Sequence, residues 1–312
     1  MRKVLALLAL ALFAALPVHA APAAEKLTVM LDWFPNVDHV PLFVARDRGF
    51  LKDAGIEVEY LSPSETSDAL KLAAAGQVDL AVGYQPQTIV AASAGIPVCA
   101  VGRLVEHPLS TLLFLKGKGI EKPSDLSGKK IGYTVPGMMD ILLKAFAERN
   151  GIANYEAVNV GFTIVPALAA GTVDAIMGPF KNYETVELEH KGLAPQWFEL
   201  EKHGIPDYDE LIIVAGKNAY TARKAVIRRF TECLGKGIAW TKAHPREALE
   251  LYFAAVPEAP REMEREAFAR TLPQYASSQR FDRKGWETFA AFAKQSGLIE
   301  REAPLDDLLQ GE

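Results

Sequence analysis

One turn occurs twice, once in each half of the chain: Gly76-Gln77-Val78-Asp79-Leu80-Ala81 and Gly171-Thr172-Val173-Asp174-Ala175-Ile176. Each copy closes an apolar helical segment with Gly, passes through Val-Asp and opens a short buried strand. A helix-to-strand return over so few residues belongs to alternating α/β architecture, and its recurrence implies two lobes built on one plan.

The elements around the two turns repeat as well. In the first half, apolar runs predict strands at 27–31, 57–61, 78–83 and 96–101, with helices over 41–46, 67–75 and 88–94. In the second half they predict strands at 130–133, 155–159 and 175–177, with helices over 141–150 and 164–170. Short connections between alternating elements require a mostly parallel sheet in each lobe. A strand at 209–215 follows a Pro- and Asp-rich loop and reads as the return to the first lobe. Beyond 222 the chain is helical, with Trp240, Tyr252, Phe268, Trp286 and Phe292 on core faces, and an acidic, frayed tail starts at Arg301. The expected organisation is a first lobe of 26–112 and 215–312 and a second of 113–214, with hinges near 110–115 and 210–215.

Residues 1–20 read as a cleaved secretory signal peptide. Met1-Arg2-Lys3 precedes an apolar run too short to span a bilayer, and Val18-His19-Ala20 offers small residues at the cleavage positions. A periplasmic location follows. Without Arg2 and Lys3 the formal charge of −5 becomes two units more negative, and no basic tract is present to suggest nucleic acid or an anionic membrane surface. Cys99 and Cys233 both sit in apolar surroundings, which favours two separate buried thiols over a disulfide.

No catalytic signature stands out. Gly-x-Ser-x-Gly, Gly-x-x-x-x-Gly-Lys, His-Glu-x-x-His and Cys-x-x-Cys are all missing, and the six histidines lack ligand spacing. What recurs is a polar or aromatic group just past a strand. Trp33, Asn36, Asp38 and His39 follow the first strand, and Tyr84 and Gln85 the third; Gly137, Phe162, Phe180, Tyr183 and Glu184 hold matching places in the second half. Ligands of open α/β sheets bind beyond the carboxyl ends of strands. Aromatic faces suit a planar ring, and carboxylates and amides suit its hydrogen-bonding edge. Each residue also has a plainer reading: Trp33 and Phe180 as packing, His39 bonded to backbone, Asp38 as a helix cap and Glu184 as a solvated helix charge. Their concentration at strand exits favours a ligand, with no metal and no cofactor.

Several stretches together resemble the type II periplasmic substrate-binding proteins of ABC importers. They are 32–39 (Asp-Trp-Phe-Pro-Asn-Val-Asp-His), Ala45-Arg46-Asp47-Arg48-Gly49-Phe50, Val160-Gly161-Phe162 and Gly178-Pro179-Phe180-Lys181-Asn182-Tyr183-Glu184. Within that group the chain is similar to the branch of thiamine-pyrimidine synthesis and salvage proteins, which includes the binder of the formylaminopyrimidine precursor. The resemblance implies two α/β lobes joined by two crossover strands, a ligand cleft between them, and C-terminal helices packed on the first lobe. It further implies a monomeric, non-catalytic receptor that passes a small planar nitrogen heterocycle to an ABC transporter permease, with Phe180 and Glu184 holding the ring and its nitrogens. Lys181, Asp38 and Phe180 depart from the residues common in that branch, which leaves a flavin precursor, an alkylsulfonate or another nutrient as alternative ligands. The branch also contains a pyrimidine-synthesising enzyme with a cysteine-rich motif, which two scattered cysteines do not supply.

Overall fold

The computed structural model describes residues 24–310, so the expected signal peptide lies outside the described residues. Ten strands form two sheets of five. They are β1 (Glu25–Met30), β2 (Ile56–Leu61), β3 (Leu80–Gly83), β4 (Val98–Val105), β5 (Ser110–Leu115), β6 (Lys130–Tyr133), β7 (Glu156–Asn159), β8 (Ala175–Phe180), β9 (Pro195–Glu199) and β10 (Leu211–Gly216). The first sheet has the order β2-β1-β3-β10-β4 and the second β7-β6-β8-β5-β9.

In the first sheet β1 pairs in parallel with β2 and β3, while β10 runs antiparallel to β3 and β4. The second sheet repeats this, with β6 parallel to β7 and β8 and with β5 antiparallel to β8 and β9. Each sheet thus has four strands in one direction and one reversed, and the reversed strand is the one that has just arrived from the other lobe. Ser110–Leu115 and Leu211–Gly216 are therefore interior strands. β4 and β5 are joined by 106–109, and the 3-10 turn Leu200–His203 is followed by the connection 204–210 that leads into β10.

The repeated turn does the same work in both lobes. Gly76 and Gly171 take left-handed φ values of 70° and 68°, which end their helices. The following Asp then ties the turn to the neighbouring strand. Asp79 Oδ2 accepts from the Thr28 N–H at 2.8 Å, and Asp174 Oδ2 accepts from the Lys130 N–H at 2.9 Å. In this way the motif fixes the register of the central strands, whose carboxyl ends face the cleft.

The first lobe's core joins Leu27, Val29 and Leu31 to Leu42 and Val44 of the helix Val40–Asp47, and the helical segment Lys217–Ala243, which is kinked at Arg223, packs against that helix. Tyr252, Phe268, Trp286 and Phe292 are buried as expected, and Trp240 is half-buried. Cys99 and Cys233 are free and buried. The tail is not frayed: Leu308 is fully buried, and Leu309 bridges in parallel to Ala100 on β4. β4 is an edge strand, and covering an edge satisfies its backbone groups. No described helix is long and apolar enough to cross a membrane.

Candidate ligand-binding cleft

The two lobes meet over the carboxyl ends of β1, β3, β6 and β8, around a narrow cavity of about 20 Å³. Asp32, Trp33, Asn36, Asp38 and Tyr84 line it from the first lobe. Thr134, Val135, Met139, Ile164, Gly178, Phe180, Tyr183 and Glu184 line it from the second. In this closed arrangement the cavity has room for little more than a water molecule, so a ring-sized ligand requires the lobes to part.

The first wall is held by a hydrogen-bonded knot built from the strand exit. Asn36 caps a short 3-10 turn, accepting at Oδ1 from the Asp38 N–H at 2.8 Å. The Asn36 N–H donates to His39 Nδ1 at 3.3 Å, which leaves the ring proton on Nε2, facing Asp32 Oδ1 at 2.8 Å. Asp32 Oδ2 in turn accepts from the Tyr84 hydroxyl at 2.8 Å. Asp32 and His39 therefore hold Tyr84 and the 36–39 turn in place.

The second wall is carried by the end of β8 and the helix Glu184–His190. Glu184 Oε2 accepts from the Phe180 backbone N–H at 2.7 Å, which fixes the carboxyl against the end of β8 beside the residue that carries the aromatic ring. Burial pushes the Glu184 carboxyl up to about 8, partly offset by the Phe180 N–H. Burial likewise raises Asp38 to about 6, against the opposing pull of His39 and the hydrogen bond from Asn182. No Lys or Arg lines the cavity.

The lobes are closed on each other. Thr66 Oγ1 donates to the Thr134 carbonyl at 2.7 Å, Asn182 Nδ2 to Asp38 Oδ1 at 2.7 Å, and the Tyr183 hydroxyl to Glu264 Oε1 at 2.9 Å. Trp33 meets Phe162 edge-on with ring centroids 4.5 Å apart, and Phe34 lies 4.8 Å from the same ring. Phe162 is thus an interlobe contact at the cleft and is not part of the cavity lining.

Of the residues expected at the site, Trp33, Asn36, Asp38, Tyr84, Phe180, Tyr183 and Glu184 come together around the cavity. His39 is fully buried behind Asp32, and both ring nitrogens are engaged. Gln85 is turned away: it starts the helix Gln85–Ser93, and its Oε1 accepts from the Asp209 N–H at 2.8 Å. Gly137 lies past the wall formed by Thr134 and Val135, its N–H on Asp140 at 2.7 Å. Asp38 is not a helix cap, since Asn36 fills that place. The sequence reading did not single out Asp32, Thr134, Val135, Met139, Ile164 or Gly178. Asp32 and Thr134 each directly follow a residue in or next to a strand end, a signal that could have found them.

A family model described as NMT1/THI5 like matches residues 36–248. A Haemophilus influenzae protein named for thiamine biosynthesis is 38% identical over 91% of this chain and 91% of its own. A formylaminopyrimidine-binding protein of Halalkalibacterium halodurans is 33% identical over 76% of this chain and 72% of its own. More distant relatives, such as one from Legionella pneumophila at 26% identity over 88% of both chains, are named 4-amino-5-hydroxymethyl-2-methylpyrimidine phosphate synthases. Among solved structures, the alkanesulfonate-binding protein of Xanthomonas axonopodis pv. citri superposes with a TM-score of 0.74 over 94% of this chain and 100% of its own, at 15% identity. The two-lobed fold is that of the periplasmic binding proteins.

Proposed function

Because the chain belongs to the NMT1/THI5-like family, we propose that it is the periplasmic binding component of an ABC importer, closing on a small planar nitrogen heterocycle and passing it unchanged to a permease. The ligand of choice is a thiamine pyrimidine precursor of the formylaminopyrimidine or hydroxymethylpyrimidine type. The observation that carries this reading is the pairing of Phe180 with a buried Glu184 in a cavity faced by Trp33 and Tyr84 and lined by no cation. An aromatic face and an adjoining carboxyl match a ring that presents an amine donor beside a ring nitrogen. An anion such as a sulfonate needs basic side chains or bare helix N-termini, and the carboxylates Asp32 and Asp38 would repel it.

Pyrimidine synthesis is the second reading, favoured by the names of the more distant relatives. Against it, Cys99 and Cys233 are separate buried thiols away from the cavity lining and form no cysteine-rich motif there. The deciding experiment is to purify the exported protein, identify the co-purifying small molecule by mass spectrometry, and screen aminopyrimidines and flavins by thermal shift. Recovery of an intact aminopyrimidine supports the receptor. A ligand that is chemically altered on incubation supports the enzyme, a flavin keeps the receptor but overturns its pyrimidine ligand, and a sulfonate overturns both readings.

A further inference from the structure

Asp38 does two things at once in the closed protein. It is 1% exposed and belongs to the cavity lining. Its Oδ1 accepts from Asn182 Nδ2 of the second lobe at 2.7 Å, and that same amide nitrogen reaches Thr271 Oγ1 at 2.6 Å, at the end of the helix Arg261–Thr271. The ionised carboxylate accepts only, so the Asn182 amide is oriented with its nitrogen toward Asp38. Asp38 Oδ2, by contrast, is buried without a hydrogen-bond partner, as are Asn182 Oδ1 and Glu264 Oε2 nearby. All three are acceptors. A buried acceptor left unpaired is costly, and a buried carboxylate more so. No lysine or arginine lines the cavity to relieve it, and His39 is committed to Asp32 and Asn36. The described residues also contain no cluster suited to a metal ion.

We propose that Asp38 selects a ligand carrying, in addition to the edge read by Glu184, a second donor group that is cationic at neutral pH, and that the Asp38–Asn182 bond links recognition of that group to closure of the lobes. The inference rests on the heterocycle reading above and narrows it to amine- or amidine-bearing members. An N–H donor on Oδ2 keeps the carboxylate ionised, and the ionised form is the better acceptor for Asn182. Burial alone acts the other way, holding the group near 6. Asn182 is a positioning residue, since it acts on the ligand only through Asp38.

The test compares two probes by titration calorimetry: 4-amino-5-hydroxymethyl-2-methylpyrimidine and its 5-aminomethyl analogue, which carries an ammonium group. The wild type is expected to bind the ammonium compound about tenfold more tightly or better, as for a hydrogen bond to a charged group. Asp38→Asn is expected to abolish that preference, bringing the two compounds to the same affinity, because the amide no longer offers a carboxylate to the ammonium group. Asn182→Ala is expected to shrink the preference without abolishing it, because the closure bond that the ionised carboxylate strengthens is gone, whereas a merely structural role would weaken both compounds by the same factor. It also provides a reading if Asp38→Asn fails to fold. An equal preference in the wild type and Asp38→Asn, or a preference in Asn182→Ala as large as the wild type's, overturns the inference alone. Binding of neither probe to the wild type overturns the pyrimidine reading, and the inference falls with it.

Discussion

At the scale of single residues, Glu184 concentrates the chemistry of the cleft. Glu184→Ala removes a buried carboxyl and the acceptor of the Phe180 N–H, and it is expected to cost about 2–4 kcal/mol of ligand affinity. Calorimetry with the co-purified ligand checks this, and unchanged affinity would remove Glu184 from the site. The buried carboxyls also set a pH dependence. Glu184 is held at about 8, Glu210 and Glu264 at about 7 and Asp38 at about 6, each chiefly by burial. A carboxyl raised in this way holds its proton more tightly when folded. Its contribution to stability is complete below the ordinary glutamate value of 4.5 and is lost as pH rises through the folded values. Glu106 and Glu199, which are lowered, act only on the acid side of that window. The melting temperature of the ligand-free protein should therefore fall between pH 4.5 and about 8, and a flat or rising profile would contradict the assignment. Sequence reading found the residues whose side chains project directly from strand exits, such as Trp33, Tyr84 and Glu184. It misplaced His39 and Gln85, because a polar residue after a strand is equally able to secure the neighbouring backbone. Nothing in the pattern of the C-terminal helices pointed to Thr271 or Glu264, which reach the cleft from far along the chain.

At the scale of elements, the contact between the helices Val40–Asp47 and Lys217–Ala243 fixes the wall that carries Asp38. Gly237 lets them approach: a Cβ there would lie 2.4 Å from the Pro41 carbonyl and 3.1 Å from the Ala45 Cβ. Alanine gains up to about 1 kcal/mol of helix propensity. The clash is with backbone and cannot be relieved by a rotamer, so Gly237→Ala is expected to destabilise by about 1–3 kcal/mol net. The check is a lower melting temperature, by roughly 2–4 °C for each kcal/mol. The strands were largely legible because β1, β3, β6 and β10 are short apolar runs between turn residues. β9 was not: Pro195, Gln196 and Glu199 interrupt the pattern, as an edge strand permits. β8 runs three residues past its expected end, through Gly178-Pro179-Phe180, because β5 pairs with it as far as Phe180. A local reading of turn residues does not contain that partner.

At the scale of the whole molecule, closure depends on a few polar contacts and an aromatic clasp. Tyr183 and Thr66 each supply one hydrogen bond that exists only when the lobes meet. Tyr183→Phe with Thr66→Val is expected to weaken ligand binding by about 0.5–1.5 kcal/mol per bond and to enlarge the radius of gyration of the unliganded protein in X-ray scattering. An unchanged radius would mean that the remaining contacts suffice, namely the Asn182–Asp38 bond, the Arg270 contacts to Thr185 and Glu189, and the aromatic rings of Trp33, Phe34 and Phe162. The arrangement of the two sheets also dictates a timetable. The second lobe runs without interruption from β5 to β9, whereas β3 and β4 stay apart until β10 has been made and slips between them. Amides of β6 and β8 should accordingly gain protection before those of β3 and β4 in pulsed hydrogen exchange during refolding. A chain released before residue 211 would carry one finished lobe and one open sheet with two unpaired edges, so the last third of the polypeptide decides whether the rest is stable or sticky.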